Sequence, residues 1–116
     1  MLKLQEKIFK ALSDSSRIRI IKMLQKKPLC VCEIREALQL ATSTVSKHLS
    51  ILREAGFITD WKDGKWINYK TNPDPPNALV SNAMLFLSLQ IENDETVIND
   101  RKITKCTDRN ILCCKS

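Results

Sequence analysis

The chain is short of the residues on which most enzymes and loop-rich folds depend: 116 residues hold two glycines, four prolines, one histidine and 5% aromatics. Two glycines leave no glycine-rich phosphate loop, and His48 alone gives no convincing acid–base couple, so an enzyme is not expected. No apolar run approaches the roughly 18 to 20 residues of a membrane span. The first residues, Met1 to Asp14, lack the apolar core and small-residue cleavage site of a secretory signal. The expectation is a cytoplasmic chain with no membrane contact, long enough for one compact domain and too short for two.

What is present is positive charge, unevenly placed. Lys and Arg number 19 against 13 Asp and Glu, a net charge of +6. Residues 1–27 hold eight basic against two acidic side chains, and residues 43–70 hold five against three. Segments 28–42 and 71–116 are each slightly acidic. Polyanions should therefore meet the first 70 residues, with nucleic acid ahead of membrane surface.

Hydrophobic spacing gives the elements. Leu4, Ile8 and Leu12 recur at helical intervals, then Ser13 to Ser16 supply capping residues before Ile18, Ile21, Met23 and Leu24. After Lys27-Pro28 a third helix is predicted from Leu29 to Leu40, carrying Cys30 and Cys32. A fourth, capped by Thr42 or Ser43, has Val45, Leu49 and Leu52 as its stripe and stops at Gly56. Two helices joined by a short turn form a helix-turn-helix candidate. Ile58 to Lys62 and Lys65 to Lys70 then read as strands around Asp63-Gly64. With those two residues as the loop, Lys62 faces Lys65 and Trp61 faces Trp66. A final helix from Asn77 shows a wide apolar face, Leu79, Ala83, Phe86, Leu87 and Ile91, that needs a partner, economically a second copy of the chain. From Asp94 periodicity is lost. The division is thus a DNA-binding and dimerisation domain over 1–92 and a Cys-containing tail over 93–116, with a mainly α (α+β) fold carrying one β-hairpin.

Burying Val45, Leu49 and Leu52 leaves Ser43, Thr44, Ser46, Lys47, Ser50 and Arg53 facing outward. Small hydroxyls at a helix start can bond phosphates or base edges in the major groove, and Lys47 adds charge. The plain alternative is a solvated polar face. A basic-tipped hairpin directly afterwards favours the DNA reading, with Lys62 and Lys65 as its phosphate contacts. Trp61 and Trp66 are read as packing between hairpin and body.

PLCVCEIREAL, STVSKHLSILREAGFI and KDGKWINY, in that order, resemble the ArsR/SmtB family of metal-responsive bacterial repressors over about residues 5 to 72. Cys30-Val31-Cys32 followed by an acid is similar to the family's metal box, and Ser46-Lys47-His48-Leu49 to the start of its recognition helix. Leu12 to Ile20 resembles its helix junction. The resemblance implies a homodimeric winged helix-turn-helix repressor that sits on a palindromic operator and leaves it when thiophilic ions bind.

Five cysteines, Cys30, Cys32, Cys106, Cys113 and Cys114, fall in two groups, and in a reducing compartment they suggest metal, metalloid or redox chemistry. In one ideal helix Cys30 and Cys32 point about 200° apart, so a shared ion would distort that turn. Arsenic-sensing relatives carry a third box cysteine where this chain has Arg35. Three thiolates suit As(III) or Sb(III), and the missing one could come from Cys106, Cys113 or Cys114, in the same chain or across a dimer. Alternatively, those three form a complete site. Cd(II) or Pb(II) sensing, with four thiolates, is the nearest rival, and a thiol redox sensor is another.

Overall fold

The structure of the protein is a computed structural model, and it describes residues 2–106. α1 (Lys3–Leu12) runs into α2 (Ser15–Leu24) at Asp14, whose carboxylate accepts the N–H groups of Ser16 at 2.8 Å and Arg17 at 3.3 Å. These bonds satisfy donors that every helix start leaves open. Burial works to raise the Asp14 pKa, but the two N–H bonds outweigh it and hold the carboxyl below its ordinary value. At the far end of α2 five consecutive residues, Ile20, Ile21, Lys22, Met23 and Leu24, are buried. This half of α2, buried on every face, is the centre of the domain.

The helix predicted over Leu29–Leu40 is shorter than its periodicity suggests. Leu29–Cys30 forms a two-residue strand, β1, and α3 covers only Val31–Leu38. Leu29 and Cys30 pair with Tyr69 and Asn68, a distant partner that local spacing does not reveal. Gln39, at φ 57°, makes the left-handed turn into α4 (Thr42–Ala55). The N-cap of α4 is Ala41, without a side-chain cap bond, so neither Thr42 nor Ser43 fills that role. The Thr42 hydroxyl instead accepts from Arg35 Nη1 at 3.2 Å across the turn. Gly56 ends α4 at φ 96°, and a Cβ there would come within 2.5 Å of the Pro76 ring. Only glycine meets both demands.

β2 (Ile58–Asp63) and β3 (Trp66–Thr71) form the hairpin, and the sheet order is β1-β3-β2, all antiparallel. The loop is Gly64-Lys65, not Asp63-Gly64: Asp63 pairs with Trp66, Lys62 with Ile67 and Trp61 with Asn68. Gly64 at φ 61° occupies the first central position, where a two-residue hairpin loop takes its left-handed residue. The loop therefore lies one residue later and each cross-strand partner moves by two, so neither the two tryptophans nor the two lysines face each other.

α5 (Ala78–Leu89) is capped by Asn77, whose side chain accepts from Val80 N–H at 2.9 Å. Beyond it the chain does not lose order at Asp94. Asp94 accepts from Thr96 and Val97 N–H at 2.9 and 3.2 Å and starts α6 (Glu95–Cys106). α6 packs on α2 and α3. Its buried face contains Asp100 and Thr104 beside Val97, so an apolar stripe was never there to be seen.

Ionic contacts hold α6 in place. Arg19 donates twice to Asp100, each at 2.8 Å, with Asp100 buried. Fully buried Lys22 donates to Leu87 O and to Glu92, and Arg101 grips the same Glu92 at 2.8 and 3.1 Å and the Lys22 carbonyl at 3.2 Å. The core itself centres on Ile8, Ile20, Ile34, Val45, Leu49, Leu52 and Phe57, all fully buried. Large apolar side chains remain exposed on α1 (Leu2, at its N-cap, Leu4, Phe9) and α5 (Leu85, Phe86, Leu89). Among the described residues no helix is long and apolar enough to cross a membrane.

The hydrogen bonds of Arg101 and Lys22 hold the Glu92 carboxyl down to about 2, from an ordinary 4.5. Its folded value is the lower one, so the stabilisation is complete above 4.5 and fades as pH falls toward 2. In a carboxyl NMR titration Glu92 should have a midpoint near 2, with α6 amide resonances moving in step. A midpoint near 4.5 with α6 unaffected would show that this clamp is absent in solution.

Candidate nucleic-acid interface and thiol site

Val45, Leu49 and Leu52 anchor α4 in the core, and the helical period then forces the opposite residues outward. Ser43, Thr44, Ser46, Lys47 and Ser50 are all exposed on α4, as are Lys62 and Lys65 on the hairpin. Lys65 Nζ lies 5.0 Å from the Trp66 ring and Lys70 Nζ 5.4 Å from Trp61, so each tryptophan carries a cation. Arg53, also outward, is bound to the base of the wing, donating to Asp60 at 2.7 Å. That pair fixes the angle between helix and hairpin and leaves Arg53 less available for an anion.

His48 faces the body and not the solvent-exposed stripe. Arg17 Nη1 lies 3.1 Å from its Nδ1, while Arg17 also donates to Ala11 O at 2.8 Å and Lys10 O at 3.0 Å. Arg17 thereby ties the α1–α2 junction to the middle of α4. Nothing local in the sequence marks Arg17 for this task, because its partners lie in two other helices.

The two box cysteines are arranged differently from a pair on one helix. Cys30 is the N-cap of α3 in extended conformation, φ −89° and ψ 168°, and only Cys32 is helical. The opposed-face geometry of an ideal helix therefore does not apply. Both line one cavity of about 290 Å³ together with Ser46 of α4 and Trp66, Ile67 and Tyr69 of β3. Cys30 N–H donates to Glu33 Oε1 at 3.0 Å, which pins the start of α3. Burial pushes the Cys30 thiol pKa up, a backbone bond from Glu33 works against it, and the Glu33 carboxylate adds to the rise. Cys32 is buried and disulfide-bonded.

The chemistry of this pair fits a soft ion, with two sulfurs on one cavity wall. Among the described residues no group of three or more His, Cys, Asp or Glu could hold a metal ion, so the pair needs further donors. Cys106 closes α6, whereas Cys113 and Cys114 lie outside the described residues.

Comparison with known proteins follows the same lines. Residues 14–60 match the model of the bacterial regulatory protein, arsR family. An arsenic resistance transcriptional regulator of Pseudomonas putida is 40% identical over 70 residues, 60% of this chain and 55% of that protein. A second such regulator of P. putida is 32% identical over 111 residues, covering 92% of this chain and 95% of its own length. A cadmium resistance transcriptional regulatory protein of Staphylococcus aureus is 36% identical over 80 residues, 68% of this chain and 66% of that one. The first of these matches spans little more than half of the relative. Among solved structures, reduced HlyU from Vibrio cholerae superposes with a TM-score of 0.61 at 26% identity, over 72% of this chain and 84% of that one. A homodimeric winged helix-turn-helix DNA-binding domain from Mycobacterium bovis gives 0.63 at 21% identity, over 75% and 77%, a likeness of fold.

In the reduced protein, burial and the raised pKa should slow alkylation of Cys30 by iodoacetamide at neutral pH about tenfold or more relative to the unfolded chain. Peptide mass mapping reads this directly. Reaction at the unfolded rate would place the thiol on the surface.

Proposed function

Since the chain belongs to the arsR family of bacterial regulatory proteins, we propose that it is a transcriptional repressor that binds operator DNA as a homodimer and is released when cysteine thiolates take up As(III) or Sb(III). The observation that carries this reading is the shared cavity, which sets Cys30 and Cys32 against Ser46 of the outward-facing helix and Trp66 of the wing. An ion bound by the thiols then acts on both DNA-facing elements at once.

On DNA, α4 enters the major groove with Ser43, Thr44, Ser46, Lys47 and Ser50, and Lys62 and Lys65 meet phosphates beside it. The exposed apolar residues of α1 and α5 are covered by a second copy, which sets two reading heads on one duplex. Arsenous acid exchanges three As–O bonds for three As–S bonds, and each neutral thiol proton leaves with a hydroxide as water. Cys30 and Cys32 supply two of the three sulfurs, and Cys106, Cys113 or Cys114 supplies the third. Drawing the sulfurs together moves β1 and the first turn of α3. Because β1 is paired with β3, the wing moves as well.

Two neighbouring readings have specific support. A cadmium resistance regulator stands among the relatives, and a Cd(II) or Pb(II) site would add a fourth thiolate. The disulfide at Cys32 favours a redox sensor, in which two thiols pass two electrons and two protons to a peroxide.

The test is fluorescence anisotropy of a promoter fragment bound to the reduced protein, titrated with As(III), Sb(III), Cd(II), Pb(II) and peroxide. Release by about one As(III) per protomer, with no response to the divalent ions, is expected. Release by Cd(II), Pb(II) or peroxide alone overturns the metalloid reading. Lys47→Ala and Lys62→Ala should each weaken operator binding by about 1 kcal/mol, roughly fivefold, and flatten its salt dependence. Unchanged affinity in both would remove α4 and the wing from the interface.

A further inference from the structure

The cavity that holds the box cysteines is larger and more apolar than a bare ion requires. Cys30 and Cys32 line it together with Val31 of α3 and Trp66, Ile67 and Tyr69 of β3. Its volume is about 290 Å³, and a dry apolar cavity of about 150 Å³ is enough for one benzene ring. A single ion held by two sulfurs would occupy a small part of that space. The cysteines are 1% and 7% exposed, whereas Ile67 on the same cavity is 51% exposed, so the space runs from the sulfurs to the surface. A small organic molecule can enter it without unfolding the domain.

The number of sulfurs is the second constraint. Among the described residues no group of three or more His, Cys, Asp or Glu could hold a metal ion, so what the cavity itself offers is a pair. Inorganic As(III) has three valences to fill and finds two sulfurs there. A trivalent arsenic atom that already carries one carbon substituent has two left, and the substituent is apolar. Two sulfurs and one apolar cavity are then a complete set of partners. The reaction is an exchange without oxidation: R–As(OH)2 and two thiols give R–As(S–Cys)2 and two waters. Each As–O bond is replaced by an As–S bond, each thiol proton leaves with a hydroxide, and arsenic stays trivalent. Cys32, disulfide-bonded in the structure, enters this exchange after a phosphine has reduced that bond to two thiols, the phosphine taking the oxygen of one water.

We infer that this cavity is a binding site for trivalent organoarsenicals with one aryl or short alkyl substituent: Cys30 and Cys32 bind the arsenic, and the wall of Trp66, Ile67 and Tyr69 takes the organic group. This rests on the thiol-site reading above and adds the class of ligand for which the cavity is sufficient. Trp66, Ile67 and Tyr69 all belong to β3, which is paired with the Leu29–Cys30 strand. A ring seated against them therefore presses on the wing from the same side as the arsenic strains the box.

The experiment uses the full chain, reduced with a phosphine that is then removed, and no DNA. Phenylarsine oxide and arsenite are the probes. Trp66 is the reporter, and with Trp61→Phe it is the one indole in the chain. Cys106→Ser, Cys113→Ser and Cys114→Ser are combined with it, so that the adjacent pair Cys113-Cys114 cannot chelate the probe. In this protein phenylarsine oxide should change Trp66 emission, saturate at one equivalent per chain and bind about tenfold or more tightly than arsenite. Ile67→Glu sets a carboxylate on the cavity wall at a half-exposed position and should weaken phenylarsine oxide about tenfold, with arsenite unchanged. Ile67→Ala, a milder change, should weaken it about threefold. No saturating change in emission, no preference over arsenite, or parent-like binding by Ile67 variants that are folded by circular dichroism overturns the inference. DNA release by arsenite is measured separately on protein with its tail cysteines intact, so that failure of the wider metalloid reading and failure of this one are told apart.

Discussion

The enclosure of α2 sets the terms for the rest of the molecule. Five consecutive buried residues leave the second half of the helix no face for water, and one of the five is Lys22. A buried ammonium is tolerated only with full compensation. Leu87 O at the end of α5 and Glu92 just beyond it provide that compensation, and Arg101 shares the same carboxylate. Meeting the need of one charge brings the end of α5 back over α2, bends the chain through Ile91 and lays α6 across α2 and α3.

The thiol box sits where that framework meets the DNA-facing elements. Cys30 belongs at once to the sheet, through its pairing with Asn68, and to the cap of α3, through Glu33. α3 is linked onward by Arg35 to the first residue of α4, and α4 by Arg53 to the base of the wing. Each link is a short polar contact between neighbouring elements. A displacement of Cys30 is therefore felt by β3 through backbone bonds and by α4 through the cavity wall that Ser46 shares. Arg35 belongs to this chain of contacts through its bond to Thr42.

Much of this was legible without coordinates where the signal is local. Val45, Leu49 and Leu52 at helical spacing located the outward stripe of α4, and the glycine-containing turn located the hairpin to within one residue. The misreadings share one cause. β1 looked helical because its partners are 40 and 38 residues away, and α6 looked aperiodic because its buried face holds Asp100 and Thr104, polar residues satisfied by Arg19 and by the helix's own carbonyls. Arg17 and His48 gave no sign of each other for the same reason.

The helix-turn-helix, the hairpin, the placement of positive charge in the first 70 residues and the two groups of cysteines could all be read along the chain. These follow from periodicity, turn chemistry and composition, which act over a few residues. Long-range pairing was needed to put Cys30 in a strand and not in a helix, to turn the wing on Gly64-Lys65, and to lay α6 on α2 and α3. Those outcomes depend on strand pairing and on buried charge finding its counter-charge across 70 or more residues, as Lys22 finds Glu92 and Arg19 finds Asp100. No local pattern encodes such partners, because their energy exists only once both are withdrawn from water together.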